Sequence, residues 1–203
     1  MNQLTAVFLG PQGCGKGTQI ALLKEFLSTN DAARPVVHFE MGKQLRELAS
    51  RDGYTPQKVR QVLADGELIS YFISSAQFSN YLIDHMHGNE HLIVDGFPRQ
   101  ADQVPALHSA MEFYNREKIF VLCINISDDE AVARLLKRGR HDDTEESIRH
   151  RLRWSREETI PNIAWFRTQP LYEVIDVDGE RSAEEVQADI RARLGLAAAG
   201  VLA

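Results

Sequence analysis

Short apolar runs alternate along the chain with longer segments whose apolar residues recur at helical spacing. This alternation is typical of strands separated by helices, and therefore of a parallel sheet with helices on both faces. Two runs, Leu92–Val94 and Ile119–Leu122, are continuously apolar, as expected for strands buried on both faces. The pattern therefore predicts an α/β fold. The predicted strands are Leu4–Leu9, Pro35–Phe39, His91–Asp95, Ile119–Asn125 and Tyr172–Val177.

Polar residues and glycines mark where several of the predicted helices begin and end. Ser127 and Ser182 each lie three residues before a glutamate, which is the spacing of a capping box. Thr55 precedes Pro56, and this pair predicts a helix start because proline is favoured in a first helical turn. Gly195 lies where the last helix should end.

The segment Gly10–Gln19 links the first predicted strand to an amphipathic run and is rich in glycine. Three glycines precede Lys16, and glycine lets backbone N–H groups turn toward a phosphate that a side chain would obstruct. The helix that follows adds unpaired amides and the positive end of its dipole. Lys16 offers a positive charge to terminal phosphates, and Thr18 offers a hydroxyl to a metal ion. The strict phosphate-loop pattern has Ser or Thr directly after the lysine, whereas here Gly17 lies between them. The alternative is a glycine-rich turn that binds no ligand.

Composition narrows the class of protein. The chain has 203 residues, enough for one domain, with 43% hydrophobic and 26% charged residues, as in soluble globular proteins. Its net charge of −6 argues against nucleic-acid or acidic-membrane partners, and its apolar runs are too short to span a bilayer. Cys14 and Cys123 make neither a disulfide framework nor a zinc set. Because no secretory signal is visible either, a cytoplasmic location is expected.

A second motif, Asp95-Gly96-Phe97-Pro98-Arg99, directly follows a predicted buried strand. Ligands of open parallel sheets bind at the carboxyl ends of the strands, so Asp95 is expected on the same edge as the glycine loop. A carboxylate there can hold magnesium through water, and the planar Arg99 fork suits a phosphate. The alternative is a sheet-end turn in which Asp95 caps the next helix.

Basic residues are concentrated in one part of this acidic chain. Eight of its 23 lysines and arginines lie between residues 134 and 156. Several recur at helical spacing, where like charges repel unless an anionic ligand or neighbouring acids offset them. Phosphoryl transfer calls for several converging cations, whereas pairing with nearby acids would make the cluster an ordinary solvated surface. The acids available for such pairing are Asp142, Asp143, Glu145 and Glu146.

The motifs together resemble those of the adenylate kinase family of nucleoside monophosphate kinases. The resemblance is carried by Gly10–Gln19, Asp95–Arg99, residues 137–140 and Asp142–Ile148, in register from about Leu4 to Leu194. It implies a P-loop NTPase fold with a five-stranded parallel sheet in one domain, 1–203, with a helical acceptor region at about 40–70 and a lid at about 138–143. It also implies the reaction MgATP + AMP ⇌ 2 ADP without a covalent intermediate, carried out by a monomer.

The resemblance assigns site residues one by one. Thr18 and Asp95 would hold Mg²⁺, in the case of Asp95 through water. The expected catalytic residues are Lys16, Arg99, Arg138, Arg140 and Arg151. The expected ATP-binding residues are Gly13, Cys14, Gly15, Lys16, Gly17, Thr18, Arg134, Arg138, Gly179 and Arg181. The expected AMP-binding residues are Met41, Arg46, Glu67, Leu68, Ile69, Gly96, Phe97, Pro98, Arg99, Gln103, Arg140 and Arg151.

The chain departs from the family pattern at two places. At the start of the acceptor helix Met41 replaces a hydroxyl residue and Lys43 replaces an acid; Met41 either borders the base or fills the core. The lid is minimal, since only Gly139 separates Arg138 from Arg140. The cysteine ligands of the long zinc-type lid are absent, so no structural zinc is expected there.

Two other functions stay open at this level. A kinase for another monophosphate, such as dAMP, CMP or UMP, is favoured by Met41 and opposed by Gln103, which matches a glutamine that reads adenine through paired hydrogen bonds. A regulatory nucleotide-binding protein with little turnover would keep the fold and lose part of the charged set. Trp154 and Trp165, eleven residues apart on the helix after the lid, are expected to pack rather than to stack on a base.

Overall fold

Five parallel strands form one sheet in the computed structural model, which describes residues 1–139 and 144–196. The spatial order of the strands is β2-β3-β1-β4-β5, and every neighbouring pair is parallel. The predicted α/β fold with a five-stranded parallel sheet is confirmed, and each predicted strand lies within one residue of its observed bounds. The strands are β1 (Thr5–Leu9), β2 (Val36–Glu40), β3 (His91–Asp95), β4 (Ile119–Asn125) and β5 (Tyr172–Asp178).

Helices connect the strands. The α-helices of the described residues are α1 (Lys16–Asn30), α2 (Met41–Ala49), α3 (Tyr54–Ala64), α4 (Tyr71–His85), α5 (Val104–Phe113), α6 (Asp128–Arg138), α7 (Glu145–Trp154), α8 (Ile160–Thr168) and α9 (Ala183–Arg193). A 3₁₀ turn (Ala101–Gln103) precedes α5, and a π-helical turn (Ser155–Thr159) joins α7 to α8. None of the helices within the described ranges is long and apolar enough to cross a bilayer.

The predicted helix boundaries hold at three positions and fail at one. The hydroxyl oxygens of Ser127 and Ser182 accept backbone N–H groups at the starts of α6 and α9, and Gly195 has a φ of +67° just after α9. The capping box is complete at Ser182, whereas the N–H of Ser127 donates to Glu180 instead of to Glu130. Thr55 lies inside α3, because the helix begins at Tyr54 and its N-cap is Gly53, which has a φ of +125°.

Two apolar clusters cover the two faces of the sheet. Alternate strand residues such as Val7, Phe39 and Val94 pack against one layer of helices. Their neighbours Phe8 and Ile93 pack on the opposite face, against α1 and α9. Both faces are therefore buried, which is why the strand sequences are continuously apolar rather than alternating.

The strand order brings the two sequence motifs together. β1 lies between β3 and β4, so the connections after β1 and β3 leave the same edge of the sheet. In the register of these strands Phe8 is the neighbour of Asp95, which places Asp95 two residues before the level of Gly10. This edge, where the strand order reverses, is where ligands of open α/β sheets bind.

Candidate functional site

Glycine is required by the backbone at two positions of the loop between β1 and α1. Gly10 has a φ of +140°, and a Cβ there would lie 2.4 Å from the carbonyl oxygen of Ile124. Gly13 has a φ of +84°, and a Cβ there would lie 3.0 Å from the carbonyl oxygen of Ala131. The loop therefore lies against β4 and α6 more closely than any side chain permits.

We expect Gly10→Ala to lower the free energy of unfolding by about 3 kcal/mol, because it adds both backbone strain and a steric overlap. The measurement is urea unfolding followed by circular dichroism. Gly17→Ala is the matched control: Gly17 lies in α1, and a Cβ there meets nothing within 4 Å. The control should unfold at the same or a slightly higher urea concentration, and equal losses in both variants would contradict the steric explanation.

Lys16 begins α1 and its ammonium group turns back over the loop. Its Nζ donates hydrogen bonds to the carbonyl oxygens of Gly10, at 2.7 Å, and Pro11, at 2.9 Å, and lies 3.5 Å from Sγ of Cys14. Cys14 is itself buried in the core. The positive charge is thus held at the mouth of the loop by neutral acceptors, which a phosphate with full negative charge can replace.

Asp95 lies at the end of β3, half-buried, between charged neighbours. Burial raises the pKa of its carboxyl group, while the charges of Lys16, Arg99 and His38 act to lower it. The register of β1 and β3, in which Phe8 is the neighbour of Asp95, places Asp95 at the edge of the sheet where the glycine loop begins, as predicted.

Asp95 and Thr18 fit a magnesium ion by the chemistry of their donors. Both offer oxygen atoms, and Thr18 is exposed in the first turn of α1. Mg²⁺ typically takes one or two protein ligands and completes its shell with phosphate oxygens and water. No group of three or more His, Cys, Asp or Glu side chains suited to a metal occurs in residues 1–139 and 144–196.

Arg99 is held from several sides. Its backbone N–H donates to Oε1 of Gln103 at 2.7 Å, and its carbonyl oxygen accepts from Oγ1 of Thr159 at 3.1 Å. Its Nε donates to the carbonyl oxygen of Gly96 at 3.0 Å, and its guanidinium carbon lies 5.6 Å from the ring centre of Trp154. Burial lowers the pKa of the guanidinium, against the pull of Asp95. A half-buried cation with a fixed orientation is suited to an anionic ligand.

The amide of Gln103 is fully engaged within the protein. Besides its bonds to the backbone of Arg99 and, at 3.4 Å, Gln100, its Nε2 donates to Oγ of Ser74 at 2.9 Å and to Oε1 of Gln100 at 3.0 Å. The residue is 2% exposed. Its predicted contact with adenine stays a prediction, and such a contact would have to exchange one of these bonds, most simply the one to the half-buried Gln100.

The expected acceptor residues divide into core and surface positions. Met41 is 2% exposed within the core cluster that includes Phe39, and Phe97 is also fully buried, with its ring stacked on Phe78. The side chain of Met41 therefore fills the core, one of its two predicted roles. Pro98 is buried beside Phe97, to which it is joined by a cis peptide bond, and Gly96 is buried with a φ of +71°.

The remaining acceptor residues lie at the surface or border it. Arg46 is exposed and donates from Nη2 to Oε1 of Glu40 at 2.9 Å. Glu67, Leu68 and Ile69 form the connection between α3 and α4, with Glu67 exposed and the two apolar residues half-buried. This connection lies next to α7, as the distance of 3.6 Å between Oε1 of Glu67 and Nε2 of His150 shows.

Two of the residues expected at the ATP base are in direct contact. Nη1 of Arg134 donates to the carbonyl oxygen of Gly179 at 2.9 Å, and its Nε donates to Glu130. A Cβ at Gly179 would lie 2.7 Å from Cγ2 of Ile124, so this position requires a residue without a side chain. Arg181 instead points toward α9, where it pairs with Asp189 at 2.8 Å.

The basic segment is partly a set of surface ion pairs. Arg149 pairs with Glu145 and Asp129, and Arg156 pairs with Asp128, so the solvated-surface interpretation holds for these two. Arg138 is exposed at the end of α6. Arg151 is 7% exposed and its Nε donates to the carbonyl oxygen of Ser147, while Arg140 and most of the predicted lid lie outside the described residues.

Sequence reasoning missed two residues that touch the site. Ser74 holds the amide of Gln103, and Trp154 contacts both Arg99 and, through its Nε1–H, the carbonyl oxygen of Gly66 at 3.2 Å. Trp165 packs among aromatic side chains as predicted, against Phe166 and Tyr172. Helical spacing alone predicts the same packing role for both tryptophans. Their surroundings differ because the π-helical turn between them separates α7, which ends at Trp154, from α8, which contains Trp165.

Comparison with known proteins identifies the family. The adenylate kinase family profile matches residues 8–171. An adenylate kinase of Prochlorococcus marinus is 35% identical over 175 residues, 86% of this chain and 90% of the relative. Adenylate kinase 1 of a Nostoc species is 33% identical over 189 residues, 93% of this chain and 97% of the relative. An adenylate kinase of a Synechococcus species is 38% identical over 157 residues, 77% of this chain and 81% of the relative. With the phosphate loop, the sheet order and this match along most of its length, the chain belongs to the adenylate kinase family.

Proposed function

We propose that this chain transfers the terminal phosphoryl group of MgATP directly to AMP and forms two molecules of ADP, reversibly and without a covalent intermediate. As a member of its family the chain is a nucleoside monophosphate kinase, a phosphotransferase that binds nucleotides. The observation that carries the proposal is the position of Asp95, which the register of β1 and β3 places beside the loop that holds Lys16, with Arg99 four residues further on, where the strand order reverses. Phosphoryl transfer depends mainly on such positioning and charge stabilisation, because the protein need form no bond to the phosphorus.

On the donor side, the backbone from Gly13 to Thr18 binds the ATP phosphates and Lys16 follows the group in transfer. The base lies against Arg134 and Gly179, with Arg181 nearby. The contact between Arg134 and Gly179 supports this, since it gives a planar guanidinium a fixed orientation against which an aromatic base can stack.

On the acceptor side, Arg46 and Arg99 bind the monophosphate. Glu67, Leu68 and Ile69 border the base and ribose, and Gln103 reads adenine after exchanging its bond to Gln100. The backbones of Met41, Gly96, Phe97 and Pro98 line the same site, since the side chains of Met41 and Phe97 are buried in the core. Arg138, Arg140 and Arg151 converge on the phosphates and stabilise the charge of the transition state.

Magnesium would be held by Thr18 and by Asp95, in the second case through water. When bound it neutralises charge on the ATP phosphates and fixes their orientation. The charges of Lys16 and Arg99 favour the ionised form of the Asp95 carboxyl group and act against the effect of burial, which raises its pKa.

The chain acts as a single domain, residues 1–203, with an acceptor region at about 40–70 and a minimal lid at about 138–143 that uses no zinc. We place it in the cytoplasm as a monomer, without nucleic-acid or membrane partners. An acidic net charge of −6 supports the absence of polyanionic partners.

The test is ADP formation from MgATP with AMP, dAMP, CMP, UMP and GMP measured in parallel. We expect strong preference for AMP, because a wrong base would leave the buried polar groups around Gln103 unpaired. The names of the relatives do not favour dAMP, CMP or UMP as the acceptor. Preference for one of these would move the specificity to the segment around Met41. Nucleotide binding without turnover on any acceptor would overturn the proposal in favour of a regulatory protein.

A further inference from the structure

We propose that Trp154 is a positioning residue of the acceptor site, which holds the Arg99 guanidinium with its ring and the acceptor loop (residues 66–69) with its indole N–H. The inference rests on the role of Arg99 in binding the acceptor phosphate under the proposed function. It goes beyond that function because it assigns the coupling of two parts of the site to one side chain at the end of α7.

The first contact orients the arginine. The guanidinium carbon of Arg99 lies 5.6 Å from the centre of the Trp154 ring, within the range of a cation–π interaction. The backbone of Arg99 is fixed at the same time, by Gln103 at its N–H and by Thr159 at its carbonyl oxygen. Thr159 belongs to the π-helical turn that continues α7, so one helical segment restrains both the backbone and the side chain of Arg99.

The second contact reaches the acceptor loop. Nε1 of Trp154 donates to the carbonyl oxygen of Gly66 at 3.2 Å, across 88 residues of sequence. The same turn lies against α7 at two further points: a Cβ at Gly66 would lie 3.8 Å from Cγ of Arg151, and Glu67 lies 3.6 Å from His150. The loop expected to border the base is therefore docked on the helix that follows the lid.

Tryptophan suits both tasks. Its ring offers the strongest cation–π face among the aromatic side chains. Its N–H is a hydrogen-bond donor, which the carbonyl oxygen of Gly66 accepts. Holding Arg99 and the loop in place before AMP arrives lowers the ordering cost of binding, so the benefit should appear in acceptor affinity rather than in ATP affinity.

The test compares Trp154→Leu, which removes both contacts, with Trp154→Phe, which keeps the ring and loses the donor. We expect the KM for AMP to rise about tenfold in Trp154→Leu and by an intermediate factor in Trp154→Phe, with the KM for ATP changed less than about twofold. Trp165→Phe is the matched control, because Trp165 packs against Phe166 and Tyr172 and should leave both KM values unchanged. Equal rises in the two KM values, or no rise in either, would overturn the inference.

A spectroscopic measurement separates this inference from the proposed function. In Trp165→Phe, Trp154 is the one tryptophan left, since the chain has two. We expect AMP alone to change its fluorescence in a saturable way, and the change to be lost when Arg99→Met is added. A wild-type chain that makes no ADP from AMP would refute the proposed function. A wild-type chain that is active, with Trp154 fluorescence insensitive to AMP, would refute only the role of Trp154.

Discussion

Replacing Lys16 by Met is expected to lower kcat for ADP formation by about 10³-fold, while the fold is retained. The ammonium group is the cation that the structure places at the mouth of the phosphate loop, on the carbonyl oxygens of Gly10 and Pro11. Those bonds use neutral acceptors near the surface, so their loss should cost little stability. Under the proposed function, the same group would face the charge on the migrating phosphoryl group in the transition state.

The measurement is the rate of ADP formation at saturating MgATP and AMP, with circular dichroism to check folding. Lys118→Met is the matched control: Lys118 lies just before β4, at the opposite end of the sheet, and pairs with exposed Glu173. It should retain wild-type activity. A Lys16→Met variant with more than about a tenth of wild-type kcat would contradict the assigned role, because removal of one transition-state donor commonly costs 10²–10³.

The sheet could be predicted from the sequence because its strands are buried on both faces. Burial makes a run such as Ile119–Leu122 continuously apolar, and this pattern can be recognised in the sequence without knowing which strands lie beside it. The order β2-β3-β1-β4-β5 was not predicted, since strand pairing depends on contacts that are distant in sequence.

The phosphate loop was equally accessible, because its residue pattern is contiguous in the sequence. Gly10 and Gly13 have positive φ angles within a few residues of Lys16, whereas the backbone atoms that exclude a Cβ at these two positions belong to Ile124 and Ala131, far along the chain. The role of Met41 could not be predicted from the sequence, because a methionine at a helix start fits either a core or a ligand pocket. Only its packing beside Phe39 shows that its side chain fills the core.

The surroundings of Arg99 illustrate what the sequence could not show. The motif predicted an arginine suited to a phosphate, yet its partners Trp154 and Thr159 lie 55 and 60 residues away and carry no phosphate-binding signature. The engagement of Gln103 with Ser74 and Gln100 is hidden for the same reason. A sequence motif contains the residues expected to contact the ligand. The residues that orient those ligand-binding residues come from other parts of the chain and depend on the local packing.

The second large effect is expected at this arginine. Arg99→Met should raise the KM for AMP at least tenfold and lower kcat by about 10²-fold, because it removes a fixed cation from the acceptor phosphate. Arg99→Lys should give a smaller loss, since lysine keeps the charge but not the planar fork. Steady-state kinetics with each nucleotide varied separately measures both. Arg193→Met, which breaks an exposed pair with Asp189 on α9, is the control and should behave as wild type.

The same variant should also move the acidic limb of the pH–rate profile. The charge of Arg99 acts to lower the pKa of Asp95, which burial has raised above the ordinary value for aspartate. Without that charge the pKa rises further, so the carboxylate that the proposed magnesium site needs is protonated at a higher pH as the solution is acidified. Activity of Arg99→Met should therefore fall at a higher pH than that of the wild type. A limb that stays in place, or moves to lower pH, would show that Asp95 is not the group whose ionisation limits the reaction.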